Sequence, residues 1–174
     1  MKFDPKIILA TSIAPKNIEL QQKAIKTWET VGFDVLSVNW APEINDLEDA
    51  FPNVEFVPVQ NLDKRHTSRK LVFFDQILEV LKGRAVDVSG IINSDIHLRA
   101  DPPLLDSLSK AAKGSVVFGS RININSLDET EGESYQLGYD FLFYGKDVLG
   151  IYPSSPFRIG APWWDLWAPV IPIH

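Results

Sequence analysis

Short apolar runs alternate with stretches of helical period through the first two thirds of the chain, and that alternation leaves few folds open. Residues 6–11 (KIILAT) suit a buried strand. Asn17 is placed to cap a helix over 18–31 that carries Ile18, Ala24, Ile25, Trp28 and Val31 on one face and stops at Gly32. Residues 33–39 read as a second strand and 54–59 as a third, with Pro58 confining the third to an edge or a strand end. The clearest helix covers 69–82, with Leu71, Phe74, Leu78 and Leu81 at helical spacing and Gly83 as its stop. A strand at 88–93, a helix at 103–113 capped by Gly114, and a strand at 115–119 continue the series. The expected fold is α/β, a Rossmann-like, mostly parallel sheet with helices on both faces. Ligands of such sheets bind outside the carboxyl ends of the strands.

No repeat, low-complexity tract or flexible linker divides the 174 residues, so 1–174 is expected to be one domain, with 45% hydrophobic residues to fill its core. The absence of cysteine removes disulfide scaffolds, thiolate zinc sites and thiol nucleophiles together. A net charge of −6 argues against nucleic acid as a partner, because such binders meet phosphates with a basic face. No apolar run approaches the roughly 18 residues of a membrane span, and Met1–Asp4 lacks a signal peptide's basic start. A cytoplasmic location is expected. Charge is unevenly placed: residues 1–121 hold 15 basic and 16 acidic side chains, whereas 122–174 hold Lys146 and Arg158 against seven acids. The densest acidic run, 128–133, reads as a mobile solvated loop.

Polar residues gather where the expected strands end: Thr11 and Ser12 after the first, Asn39 after the second, and Asn93-Ser94-Asp95 after the central one. Strand alternation puts Asn93 and Asp95 on one face and Ser94 on the other. A carboxylate delivered there can hold a hard cation together with a phosphate, although three polar residues after a strand also make an ordinary turn. The one basic cluster, 63–70, opens the best helix, where positive charge opposes the helix dipole and an anion would offset it. Arg69 and Lys70 are the candidates for that contact, against a solvated loop as the simpler reading. In the last third, 139–144 alternates like a strand, and 159–167 is aromatic and poorly periodic. Trp167 is expected in the core, with Trp163 or Trp164 at a ligand and Tyr139 open to either role.

The Asn93-Ser94-Asp95 element resembles the Asp-x-Asp motif of GT-A-fold nucleotide-sugar glycosyltransferases, with Asn93 in place of the first Asp. The order of elements agrees: a strand almost at the start, an extended segment at 139–144, and an aromatic segment ending in Trp164-Asp165, placed like the family's x-Glu-Asp element. The resemblance implies a nucleotide-binding half at 1–121 and an acceptor-side segment at 122–174. It implies metal-dependent transfer of a sugar from a nucleoside-diphosphate sugar to a carbohydrate or other hydroxyl acceptor. Asp95 would be the ligand of Mn2+ or Mg2+, and Thr11, Ser12, Asn39, Arg69, Lys70, Asn93 and Ser94 would line the donor site. Tyr139, Trp163 and Trp164 would meet the acceptor. Asp165 would serve as the general base, with Asp140 as the alternate carboxylate or an acceptor contact. Two departures stand out, the neutral Asn93 and a chain shorter than the family's usual domain; His174 is the one late residue able to replace a missing ligand, against a frayed terminus.

Two other readings use the same residues. One is a nucleotide-sugar-binding fold without catalysis, which Asn93 favours. The other is a metal-dependent phosphohydrolase, which would need more carboxylates at strand ends than Thr11, Ser12 and Asn39 supply. There is no Gly-rich phosphate loop, no Gly-x-Ser-x-Gly elbow and no His pair at helical spacing. Oligomeric state leaves no mark in the sequence.

Overall fold

The computed structural model describes residues 6–60, 70–100 and 103–173. Its strands are β1 (Ile7–Thr11), β2 (Asp34–Trp40), β3 (Glu55–Val59), β4 (Val88–Ile92), β5 (Val116–Gly119), β6 (Ile122–Asn123), β7 (Glu133–Ser134) and β8 (Phe141–Gly145). The helices are α1 (Ile18–Val31), α2 (Ala41–Leu47), α3 (Phe74–Lys82), α4 (Leu104–Ala111) and the single turn α5 (Trp164–Trp167). Six strands form one sheet in the order β3-β2-β1-β4-β8-β5, while β6 and β7 pair separately. β1 pairs in parallel with both β2 and β4, and β2 in parallel with β3. β8 runs antiparallel between β4 and β5. This is an α/β, Rossmann-like, mostly parallel sheet.

Period-two alternation along the central strands divides the core in two. Ile7 and Leu9 of β1 face one side with Val35, where Ile25 and Trp28 of α1 and Leu108 of α4 cover them. Ile8 and Ala10 face the other side with Leu36, beneath Phe74 and Leu78 of α3 and Trp164 of α5. β1 and β4 are buried throughout, as strands covered on both faces must be. Pro58 lies in β3, at the edge of the sheet. Gly90, at the centre of β4, is dictated by close packing: a Cβ there would stand 2.7 Å from the Phe143 ring and 2.8 Å from Leu9. Gly90→Ala is therefore expected to lose about 1–3 kcal/mol by overpacking, measured as a lower urea midpoint with an unchanged slope.

Local chemistry moves several boundaries from their expected places. Helix α3 begins at Phe74, because the Phe73 N–H is capped by Gln76 Oε1 at 3.0 Å and Phe73 forms a β-bridge with Arg158. Lys70 consequently precedes the helix instead of riding on it. Asn17 precedes α1 in a left-handed conformation (φ 52°) and makes no side-chain cap bond. The 103–113 helix contracts to Leu104–Ala111. Helix α2 has no counterpart in the periodicity: it is seven residues long and starts beside Pro42, a residue suited to a first helical turn.

Candidate active site

Strand order reverses between β1 and β4, with β2 and β3 on one side and β8 and β5 on the other. The carboxyl ends of β1 and β4 therefore flank the crevice where open α/β sheets take ligands. Asn93 follows β4 directly. Its backbone N–H donates to the Asp140 carbonyl at 3.2 Å, and its Nδ2 donates to Asp140 Oδ1 at 2.9 Å. Arg121, two residues past β5, donates through Nη1 to both carboxylate oxygens of Asp140, at 2.8 and 2.7 Å. Asp140 is 3% exposed, so its charge is compensated inside the protein by these two partners. The guanidinium is itself held: Nε donates to Asn123 Oδ1 at 2.9 Å, and the Tyr135 ring lies 3.7 Å from its central carbon.

Asp165 joins this group from α5. Its carboxylate lies against Gly138, where a Cβ would stand only 2.0 Å from Oδ2. Burial pushes the Asp165 carboxyl above its usual value, and the Asp140 charge adds to the rise. The backbone N–H groups of Asp165, Trp163 and Leu166 pull the other way. Asp165 sits inside the α5 turn, which has no side-chain cap bond. Four elements distant in sequence thus bring Asn93, Arg121, Asp140 and Asp165 to one place. They leave Asp165 as the partly exposed carboxylate and Asp140 as the buried, neutralised one.

The other expected site residues have definite positions. Asn39 and Ser37 hold the loop after β1: Ser37 Oγ donates to Asn39 Oδ1 at 2.6 Å, Asn39 Nδ2 donates to the Ile13 carbonyl at 2.8 Å, and the Ile13 N–H donates to Ser37 Oγ at 2.9 Å. Ser94 Oγ donates to Gln21 Oε1 at 2.7 Å, and Gln21 in turn binds the loop at Ala14 and Lys16. Ser12 is half-buried. Thr11 Oγ1 is buried with no partner among the described residues. Asp95 stands exposed on the turn after Asn93. Lys70 Nζ lies 3.1 Å from the Trp40 ring centroid, at the carboxyl end of β2. Arg69 and His174 lie outside the described residues.

The tryptophans divide by burial. Trp164 is 2% exposed and stacks on Phe74 with ring centroids 5.5 Å apart, which corrects its expected contact with an acceptor. Trp167 packs half-buried against the same core. Trp163 is 65% exposed and takes φ 85°, a strained conformation for a bulky side chain. Tyr139 packs edge-on against Phe118, with centroids 4.7 Å apart. The acidic run at 128–133 is tied down at its start, because Arg99 donates to the carbonyls of Leu127 and Glu129. Arg121 and Gly138 are the residues that pattern reading passes over. Arg121 does carry a signal: it is the only basic residue between 114 and 145, and it follows a strand.

Among the described residues no three His, Asp or Glu side chains converge as a metal cluster, and no helix is long and apolar enough to cross a membrane. No family model and no curated protein matches the sequence. Among solved structures, the chain is similar to a mannosyltransferase from Pyrobaculum calidifontis in complex with GDP-Man and Mn2+, with TM-score 0.41 and 12% identity over 62% of this chain and 32% of that one. It is also similar to a protein assigned as a glucose-1-phosphate thymidylyltransferase from Bacillus anthracis, in complex with a sucrose, with TM-score 0.49 and 15% identity over 86% and 76% of the two chains. The chain spans about a third of the mannosyltransferase's length. Likeness at this level assigns no activity, and the fold class stands on the sheet itself.

Proposed function

We propose that this domain binds a nucleoside-diphosphate sugar at the carboxyl ends of β1, β2 and β4 and transfers the sugar to a hydroxyl acceptor. The observation that supports the reading is the meeting of Asn93, Arg121, Asp140 and Asp165 beside the strand-order reversal. In this reading Asp165 takes the proton of the acceptor hydroxyl. The freed oxygen bonds to the anomeric carbon while the bond to the diphosphate breaks, and its electron pair leaves with the diphosphate. A carboxyl lifted by partial burial is better matched to that task than an ordinary aspartate. Asp140 is a positioning residue, holding Asn93 and Arg121 in place. Trp163 offers an exposed ring to the acceptor, and Tyr139 is the residue before Asp140.

Exposed on the turn after Asn93, Asp95 would be a single protein ligand for Mn2+ or Mg2+ shared with the diphosphate, since such ions often take one or two protein carboxylates plus phosphate oxygens and water. Asp95 would supply the carboxylate, and the cation would neutralise charge on the leaving diphosphate. Lys70 adds positive charge at the β2 end. Lys70→Ala is expected to weaken nucleoside-diphosphate binding and flatten its salt dependence, checked by calorimetry at two ionic strengths. Unchanged affinity and salt slope would remove Lys70 from the site.

Calorimetry with a panel of nucleoside diphosphates, with and without manganese, tests the donor site. Asp95→Asn is expected to abolish any metal-dependent gain. Asp165→Asn in a transfer assay tests the chemistry, with a loss of roughly 10²-fold or more expected for a general base and nucleotide binding retained. The wild-type rate should rise with pH through a value above the ordinary aspartate range, because the base acts only when deprotonated. Binding without transfer would favour a non-catalytic nucleotide-sugar-binding domain, the reading suggested by the neutral Asn93 in place of a first Asp.

A further inference from the structure

A second concave surface shares no residue with the site above. It is a groove of about 540 Å³ between α1 and the segment after β4, lined by Lys23 and Lys26 on one wall, His97 and Arg99 on the other, and Leu127. That volume lies in the range of small-molecule sites. The walls are fixed by bonds that do not neutralise them. The Leu98 N–H donates to Thr27 Oγ1 at 2.9 Å, and Trp28 Nε1 donates to the Ile96 carbonyl at 2.7 Å, joining the post-β4 segment to α1. Arg99 anchors the far loop through the carbonyls of Leu127 and Glu129, so its hydrogen bonds are made to uncharged groups.

The charge balance is unusual for this molecule. In a chain of net charge −6, the groove draws Lys23, Lys26 and Arg99 together. Lys26 pairs with Glu29 at 3.2 Å, whereas Lys23 has no ion-pair partner among the described residues. His97 lines the same groove, with Nε2 buried and without a partner among the described residues. A cationic concavity left partly uncompensated, with Leu127 and aliphatic stems lining it, calls for a ligand with an anionic head and an apolar body.

We propose that this groove is a separate binding site for a small phosphomonoester, its phosphate held by Lys23 and Lys26 and its body against Leu127. A phosphomonoester carries about −1.5 to −2 charge near neutrality and so matches two cations better than a carboxylate does. Lysine serves such groups as a point charge that needs no fixed geometry. The donor site is not needed for this binding, so its failure would leave the groove untouched.

The test is amide chemical-shift mapping of the full chain titrated with phenyl phosphate, with inorganic phosphate and benzyl alcohol as separate arms. Saturable shifts centred on Lys23, His97, Arg99 and Leu127 are expected with phenyl phosphate, weaker ones with inorganic phosphate, and none with benzyl alcohol. Lys23→Glu should weaken phenyl phosphate binding by roughly tenfold or more, because an attraction becomes a repulsion, while Asp165→Asn leaves it unchanged. Shifts centred on Asn93 and Arg121 instead, equal affinity in Lys23→Glu, or no saturable shifts would each overturn the proposal.

Discussion

Gly138→Ala should damage the protein sharply, and Asp165→Ala should repair most of the damage. The added methyl would stand 2.0 Å from Asp165 Oδ2 and 3.1 Å from its carboxyl carbon, whereas Tyr135 is at an ordinary 3.5 Å. The strain therefore falls on one side chain. Alanine at 138 is expected to cost about 1–3 kcal/mol, and in the Asp165→Ala background most of that cost should vanish. Denaturant unfolding of the four proteins measures this coupling whether or not the domain transfers sugar. Additive losses would mean that the cost of alanine at 138 does not fall on Asp165, and no loss at all would mean that the carboxylate swings away. Either outcome would mean that Gly138 does not position Asp165. Should transfer be established, Gly138→Ala is further expected to lower the rate while leaving donor affinity near its original value, since a displaced carboxylate no longer meets the acceptor hydroxyl.

Removing Arg121 is the second large effect. Its side chain is about one third exposed, but the Asp140 side chain it neutralises is 4% exposed. Arg121→Met would leave a buried carboxylate with Asn93 Nδ2 as its side-chain partner, at an expected cost of about 3–5 kcal/mol. Combining it with Asp140→Asn should recover much of that loss, since the stranded charge disappears. The measurement is again a double-mutant cycle by urea unfolding. A double variant as unstable as the sum of the two singles would mean that packing of Arg121 on Tyr135, and not charge compensation, dominates.

Strands β1, β2 and β4 were legible because they are largely buried on both faces and announce themselves as apolar runs. Residues 7–11, 34–40 and 88–92 fall within a residue of where composition put them. Helix α3 was misplaced at its start because Leu71 extends the apolar period backwards past the true cap at Phe73. Of the candidate site, Asn93 stood out as a polar residue ending an apolar strand, whereas Asp140 and Asp165 entered only through the resemblance to glycosyltransferases. What periodicity cannot express is which distant residues answer one another. Nothing local to Arg121 names Asp140 as its partner, and nothing local to Gly138 says that a carboxylate rests on it. Those facts belong to the pairing of β8 with β4, which lie about fifty residues apart.

That pairing also bears on how the chain becomes a protein. β5 has β8 as its sheet neighbour, and β4 has β8 along one whole side. A nascent chain that has emerged only through residue 140 holds β4 with an open edge and β5 with no ladder to join. Edges of that kind recruit strands from other molecules. Synthesis must therefore pass Gly145 before the sheet can close, and Asp140, immediately ahead of β8, is drawn to Asn93 and Arg121 by the same closure. A pause while only residues up to 140 have emerged should expose an aggregation-prone intermediate, whereas a pause once Gly145 has emerged should be harmless.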